Sequence, residues 1–269
     1  MLTGKGGIMA KLFHVSDVHF GKEDKAAVAW FAERVEIERP DAVIMTGDLT
    51  MRALPREFEE GGAWLKSLGA PVTVEIGNHD IPYYWDPLRR LFAPYTRYAA
   101  IEKMIERPLE LPGVTVVPLK TIARAQWRLN WSKGHVGRRS LAAALRLIAD
   151  APKGNLIFVA AHHPLIEAGT QGTAQTRGGE EALSELAAAG AHAVLSGHVH
   201  DPFDVPVDRA GRMIRMIGAG TLSVRTRNSP PGFNELRIHG DQFETLSRTM
   251  GDAPKRPISA TVETSARSV

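Results

Sequence analysis

The chain has 269 residues, of which 43% are hydrophobic and 23% charged, a composition typical of a folded globular protein that excludes collagen, coiled coil and wholesale disorder. No uninterrupted apolar run reaches the roughly 18 residues of a membrane helix, and the first ten residues lack the apolar core of a secretory signal, so we expect neither a membrane span nor secretion. With no cysteine and 33 basic against 30 acidic residues (net charge +3), the chain has no thiolate ligand, fits a cytoplasmic location and does not favour a nucleic-acid partner.

The first part of the chain alternates predicted strands with predicted helices. Short apolar runs predict strands at 11–16, 42–46 and 72–76. Apolar residues at helical spacing predict helices at 25–39 and 56–68, which end at a proline and a glycine respectively. This order is typical of strand-helix-strand units.

The second part continues the alternation and then turns to strands alone. Strands are predicted at 155–161 and 191–195, with a helix at 180–189 between them. Four more strands follow, at 212–217, 221–227, 233–239 and 242–248. Residues 250–269 contain Pro, Ser, Thr and charge with almost no aromatic side chains, so we expect a flexible C-terminal tail.

Polar side chains follow directly after five of these predicted strands. The clusters are Asp17-Val18-His19, Gly47-Asp48, Gly77-Asn78-His79-Asp80, His162-His163-Pro164 and Gly197-His198-Val199-His200. Reactive groups of an open α/β sheet collect outside the carboxyl ends of its strands. We therefore expect the five loops to converge on one place.

The residue types in these loops indicate a metal site. Carboxylate, carboxamide and imidazole donors suit manganese, iron, zinc or cobalt, and they suit soft metals poorly. Two Asp, one Asn and four His are too many donors for one tetrahedral ion, whereas two ions that share a bridging carboxylate use all seven. The sequence therefore predicts a pair of divalent metal ions, with manganese, iron or zinc as candidates.

The ordered set D-x-H, G-D, G-N-H-D, H and G-H-x-H, between positions 17 and 200, resembles the calcineurin-like metallophosphoesterases of the bacterial phosphodiesterase type. The resemblance implies that Asp17, His19 and His200 hold one metal, that Asn78, His162 and His198 hold the other, and that Asp48 bridges them. It implies a catalytic role for His79. Similar family members place the ligand first of the two adjacent histidines, so His163 is expected to support the site or face the substrate.

The same resemblance implies an α/β fold, a four-layer α-β-β-α sandwich of two packed mixed sheets with the metal site at the carboxyl ends of the strands. We expect a single domain over 9–249 with a cap-like insertion around 81–140. An aromatic-rich stretch at 81–95 would line or cap the cleft, with core packing as the alternative for at least half of its side chains.

The expected mechanism follows from charge. Two divalent cations facing two aspartates leave a net positive pocket, which lowers the pKa of a bridging water and attracts a phosphate anion. The resulting hydroxide attacks phosphorus, and His79 stabilises the developing charge or protonates the leaving alkoxide. Asp80 either orients His79 or caps a helix.

Other polar features have ordinary interpretations. The remaining histidines outside the five loops are expected to be core or surface residues: His14, His135, His192 and His239. Residues 120–146 carry seven basic and no acidic side chains, with Trp127 and Trp131 among them. This segment is either a solvated positive face or a surface that steers an anionic substrate, or contacts phospholipid headgroups or nucleic acid; peripheral membrane contact is one of these alternatives.

The sequence favours a binuclear, metal-dependent phosphodiesterase (EC 3.1.4 type) whose substrate is a small-molecule or lipid phosphoester. Cyclic nucleotide, glycerophosphodiester and phospholipid substrates remain open. A phosphomonoesterase is the next alternative, followed by a nuclease and a non-catalytic scaffold of the same fold. The scaffold is disfavoured because all seven expected donors are present.

Overall fold

The computed structural model describes residues 10–82, 97–122, 133–170 and 176–253. Across these ranges the strands are β1 (Ala10–Val15), β2 (Ala42–Met45), β3 (Val72–Val74), β4 (Leu109–Leu111), β5 (Val114–Pro118), β6 (Leu156–Ala160), β7 (Ala193–Ser196), β8 (Phe203–Arg209), β9 (Arg212–Gly218), β10 (Gly232–His239) and β11 (Gln242–Thr249). The α-helices are α1 (Lys25–Glu38), α2 (Pro55–Ser67), α3 (Arg138–Asp150) and α4 (Gly179–Ala188). No helix in these ranges is long and apolar enough to cross a bilayer.

The strands form two mixed sheets. The first has the order β11-β10-β1-β2-β3, in which β1, β2 and β3 are parallel and β10 and β11 are antiparallel additions. The second has the order β4-β5-β6-β7-β9-β8, in which β5, β6, β7 and β9 are parallel and the two edge strands are antiparallel. Within each sheet, the loops that follow the parallel strands therefore lie along one edge.

Side-chain alternation along the strands builds the layers. Leu12 of β1 belongs to an apolar cluster that it shares with Phe158 of the second sheet. Its neighbour Phe13 points the other way and packs against Phe31 of α1, with ring centroids 6.1 Å apart. In the second sheet Val159 turns away from this central cluster and joins α3 and α4. Both sheets are thus buried on two faces, in the order helices, sheet, sheet, helices, which confirms the expected α/β fold.

Local sequence explains the limits of α1. Asp24 caps its first turn, since one carboxylate oxygen accepts hydrogen bonds from the N–H groups of Ala26 and Ala27 at 3.0 and 3.1 Å. The helix ends at Arg39, which has a left-handed backbone (φ 45°) and precedes Pro40.

The structure differs from the sequence prediction in the second half of the chain. It adds β4, β5, α3 and β8 to the predicted elements. The predicted strand at 221–227 is wrong, because this segment is an irregular loop. Its hydroxyl groups bond locally instead: the Thr221 and Ser223 side-chain oxygens lie 2.7 Å apart, and Ser223 N–H donates to Thr221 Oγ1 at 3.0 Å.

The described part of the predicted insertion at 81–140 includes β4 and β5, which belong to the second sheet. The cap itself, most of the aromatic stretch and the tail beyond residue 253 lie outside the described residues.

Candidate metal centre

The five polar loops meet at one end of the two sheets. Three of them follow β1, β2 and β3 in the first sheet, and two follow β6 and β7 in the second. Within the first sheet, Asp17 N–H donates to the Gly47 carbonyl at 3.0 Å, and within the second, Gly197 N–H donates to the His162 carbonyl at 3.0 Å. The His198 N–H crosses between the sheets to Asp17 Oδ2 at 2.8 Å. The loops therefore support one another through hydrogen bonds.

Five of the expected ligands have a left-handed backbone. Their φ angles lie between 52° and 69°. They are Asp17, His19, Asp48, His198 and His200. Side chains other than glycine seldom adopt this conformation, although Asp and His do so more often than most. Such conformations persist where the surroundings enforce them, typically at functional sites.

One group of donors consists of Asp17, His19 and His200. Nε2 of His200 lies 3.2 Å from Asp17 Oδ1 and 3.3 Å from Nε2 of His19. His19 Nε2 is 3.7 Å from the same carboxylate oxygen. All three residues are buried, and Asp17 Oδ1 has no hydrogen-bond donor. A buried carboxylate oxygen without a donor, facing two imidazole nitrogens, fits a cation.

A second group surrounds His162. Nε2 of His162 lies 3.1 Å from Asn78 Oδ1 and 3.4 Å from Asp48 Oδ2. The His198 ring lies beside it, with centroids 5.2 Å apart. The structure therefore brings together the three residues expected to hold the second metal.

Asp48 lies between the two groups. Its Oδ2 is 3.4 Å from His162 Nε2 on one side and 3.8 Å from His19 Nε2 on the other. Its Oδ1 accepts a hydrogen bond from the His79 N–H at 2.8 Å. This is the position that a bridging carboxylate would need.

Hydrogen bonds behind the rings orient two of the histidines. Nδ1 of His200 lies 2.7 Å from the Arg225 carbonyl, and Nδ1 of His162 lies 2.8 Å from the Thr46 carbonyl. A carbonyl only accepts, so each Nδ1 carries a proton, which leaves the Nε2 lone pair of the neutral ring directed into the site. Such outer hydrogen bonds are typical of metal-binding histidines.

The two buried aspartates are ionised. Burial alone would raise the pKa of Asp17, but the neighbouring His200 holds that pKa below its ordinary value. Burial acts likewise on Asp48, and His162 and His79 together hold its pKa well below the ordinary value. The site therefore presents two carboxylates and several imidazoles to a cation.

The donors are close enough to hold metal ions in several combinations. Four overlapping sets of three side chains have donor atoms within 4.8 Å of one another. The sets are Asp17-His19-His200, His19-Asp48-His79, Asp17-Asp48-His162 and His162-His163-His198. Nitrogen and oxygen donors in this number fit manganese, iron or zinc.

His79 lies at the edge of the site. Its Nδ1 is 2.8 Å from the Met51 carbonyl, and its ring meets the His19 ring edge-on with centroids 4.8 Å apart. The carbonyl requires a proton on Nδ1, so Nε2 is the ring nitrogen directed towards the site.

Asp80 connects loops through its hydrogen bonds. One of its carboxylate oxygens accepts from the N–H of Gly77 at 2.9 Å, and the other from the N–H and hydroxyl of Thr50 at 2.8 and 2.9 Å. Burial raises the pKa of Asp80 to about 7. Of the two roles that the sequence allows, the geometry is that of a backbone cap.

The two adjacent histidines have different surroundings. His162 faces Asp48 and Asn78. His163 is also buried, with Nδ1 3.0 Å from the Thr121 hydroxyl and its ring centroid 4.5 Å from that of His198. His163 therefore packs behind the second group and contacts one of its members.

Arg225 is the main residue at the site that sequence reasoning missed. One guanidinium nitrogen lies 3.4 Å from His19 Nε2 and 3.3 Å from His79 Nε2. Its segment carries no metal-binding motif and resembles a strand, so the only sequence signal was a cation near the end of the chain.

The other expectations concern residues away from the site. Within the described ranges, none of His14, His135, His192 and His239 joins a metal-binding set. In the basic segment, Lys120 pairs with Glu106 at 3.1 Å. Trp127, Trp131, Arg124 and Arg128 lie outside the described residues.

Comparison with known proteins places this geometry in context. A family model for calcineurin-like phosphoesterases matches residues 10–202. One component of the nuclease SbcCD of Staphylococcus epidermidis is 24% identical over 272 residues, which cover 92% of this chain and 70% of that protein.

Two solved structures show the same fold. A dimetal phosphatase from Danio rerio superposes with a TM-score of 0.66 at 12% identity, covering 94% of this chain and 98% of that one. Purple acid phosphatase PPD1 from yellow lupin seeds gives a TM-score of 0.67 at 12% identity, covering 97% of this chain and 55% of that one.

Proposed function

The chain belongs to the calcineurin-like phosphoesterase family, and from this premise we propose that it is a metal-dependent phosphodiesterase. The observation that carries the proposal is the position of Asp48 between two groups of buried donors. A phosphoester substrate is consistent with the family.

In this proposal the first metal is held by Asp17, His19 and His200, and the second by Asn78, His162 and His198. Asp48 is shared between them. Two bound divalent ions supply an acidified water and neutralise charge on the phosphate. Manganese, iron and zinc are the candidates that the donor set supports.

His79 has the catalytic role in the proposed reaction. The Met51 carbonyl fixes the proton on Nδ1, and the His79 backbone is tied to Asp48. Nε2 is thereby directed to the site, where it donates to an oxygen of the phosphate or passes a proton to the leaving alkoxide.

A diester is favoured over a monoester by the relationship to the nuclease component, because a nuclease cleaves phosphodiester bonds. Cyclic nucleotides, glycerophosphodiesters and phospholipids are the small-molecule and lipid diesters to be tested. The structural similarity to phosphatases concerns the fold alone.

A nuclease is the second candidate, since the relative that favours a diester is itself named as part of one. A net charge of only +3 does not favour a long nucleic-acid footprint. Cleavage of a short oligonucleotide would support this candidate.

The test is a substrate panel on the manganese-loaded protein. Bis-p-nitrophenyl phosphate, p-nitrophenyl phosphate, cyclic AMP, phosphatidylglycerol vesicles and a single-stranded oligonucleotide are compared at equal concentration. We expect the highest kcat/KM on a diester, and no turnover above background in Asp48→Ala on any substrate. Faster cleavage of the monoester, or equal activity in Asp48→Ala, would contradict the proposal.

A further inference from the structure

Arg225 lies over the candidate metal centre without being one of the expected ligands. One guanidinium nitrogen is within 3.4 Å of the Nε2 atoms of both His19 and His79. The same nitrogen is 3.9 Å from the sulfur of Met51. The side chain thus spans from a first-group donor to the proposed catalytic histidine.

The positive charge of Arg225 differs from that of other arginines in the described part of the chain. Arg248 is neutralised by Glu38 at 2.8 Å, and Arg215 by Asp204. The side-chain contacts of Arg225 are two imidazole nitrogens and a thioether, none of which carries a negative charge in the neutral rings. A guanidinium in such surroundings is available to an anion.

The main chain around Arg225 is anchored to the site on both sides. Thr221 Oγ1 donates to the Asp17 carbonyl at 2.6 Å, and Arg225 N–H donates to Ser223 Oγ at 3.2 Å. The Arg225 carbonyl in turn lies 2.7 Å from His200 Nδ1. These bonds hold the backbone, while the Arg225 side chain is exposed and free to change its contacts.

We propose that Arg225 binds a non-bridging oxygen of the substrate phosphate and orients it towards His79. The inference rests on the proposed function and specifies how that site recognises its substrate. The planar guanidinium presents several N–H donors that match the oxygens of a phosphate. Its place beside His79 Nε2 puts the phosphate within reach of both groups.

The experiment uses manganese-loaded full-length protein and inorganic phosphate as the probe. Phosphate affinity is measured by isothermal titration calorimetry for wild type, Arg225→Ala and Arg225→Lys. Arg227→Ala is the matched control, because Arg227 is an exposed arginine of the same loop. Manganese content is measured in each sample by mass spectrometry.

We expect Arg225→Ala to weaken phosphate binding by about 10- to 100-fold with unchanged manganese content, as for the loss of a hydrogen bond between charged groups. Arg225→Lys retains part of the affinity, and Arg227→Ala all of it. Guanidinium chloride added to Arg225→Ala restores phosphate binding better than sodium chloride does. Phosphate affinity in Arg225→Ala within twofold of wild type, or loss of its manganese, would overturn the inference.

Activity separates this inference from the proposed function. With bis-p-nitrophenyl phosphate, Arg225→Ala should raise KM more than it lowers kcat. If the wild type binds phosphate through Arg225 but cleaves no diester, the proposed function fails and the inference stands. If the wild type cleaves the diester and Arg225→Ala matches it in KM and kcat, the inference alone fails.

Discussion

The N–H of His79 donates a hydrogen bond to Asp48 Oδ1 at 2.8 Å, which joins the proposed catalytic residue to the proposed bridging ligand. The other carboxylate oxygen faces His162 at 3.4 Å. Asp48 therefore serves two purposes with its two oxygens, and replacing it should affect metal binding and the placement of His79 together.

Replacing Asp48 with alanine should abolish metal pairing and turnover, because the residue between the two donor groups is lost. Asp48→Asn keeps an oxygen that accepts from His79 N–H but removes the charge, so we expect fewer than two bound ions per chain with a better preserved fold. Metal content and thermal unfolding of both variants check this. Asp150→Ala, at the exposed end of α3, is the control. Two ions per chain in Asp48→Ala would refute the shared position.

Replacing His79 with alanine should leave two ions in place and reduce kcat by roughly 10²-fold or more, the usual contribution of a positioned acid or base. The backbone N–H that Asp48 accepts from is retained in this variant. Metal analysis and steady-state kinetics on bis-p-nitrophenyl phosphate measure the two effects separately. A variant that loses its metals would show His79 to be a ligand, as its place in one donor set allows.

Gly77→Ala should disturb the site sterically. A Cβ at Gly77 would overlap the carboxylate oxygen and backbone nitrogen of Asp48. We expect a loss of about 1–3 kcal/mol in the free energy of unfolding, as for other overpacked sites, together with weaker metal binding. Gly137→Ala is the matched control, because a Cβ there meets nothing within 4 Å. Urea unfolding of the two variants compares them, and equal effects would remove the steric explanation.

His14 should make stability depend on pH. Burial lowers the pKa of His14 to about 3, and its ring lies 2.9 Å from the Thr46 hydroxyl. An unfolded histidine has a pKa of about 6.5, so protons favour the unfolded chain and this contribution to stability falls as the pH drops from 6.5 towards 3.

Between pH 7 and pH 5 the wild type should lose about 2 kcal/mol more unfolding free energy than His14→Gln, which lacks this titration. Urea unfolding in the presence of a chelator measures the difference without a contribution from bound metal. His239→Gln is the control, because His239 is partly exposed. The same pH dependence in His14→Gln and wild type would contradict the assignment.

Much of the fold could be predicted because its signals are local. The apolar run at 42–46 corresponds to β2 (Ala42–Met45), and the helical pattern at 25–39 corresponds to α1 (Lys25–Glu38). By contrast, β4 has only three residues and depends on pairing with β5. The loop at 221–227 resembles a strand in composition, but its hydroxyl groups are used in local hydrogen bonds and against the Asp17 loop.

The sequence by itself determined the kinds of donor and their order along the chain, since Asp, Asn and His directly after buried strands can be read without knowing the pairing of those strands. The tertiary structure decided which donors face one another. It put His162 beside Asp48, packed His163 against His198, and brought Arg225 to His79 across 146 positions of sequence. These contacts arise from the stacking of two sheets and the meeting of their loops, which no local pattern encodes.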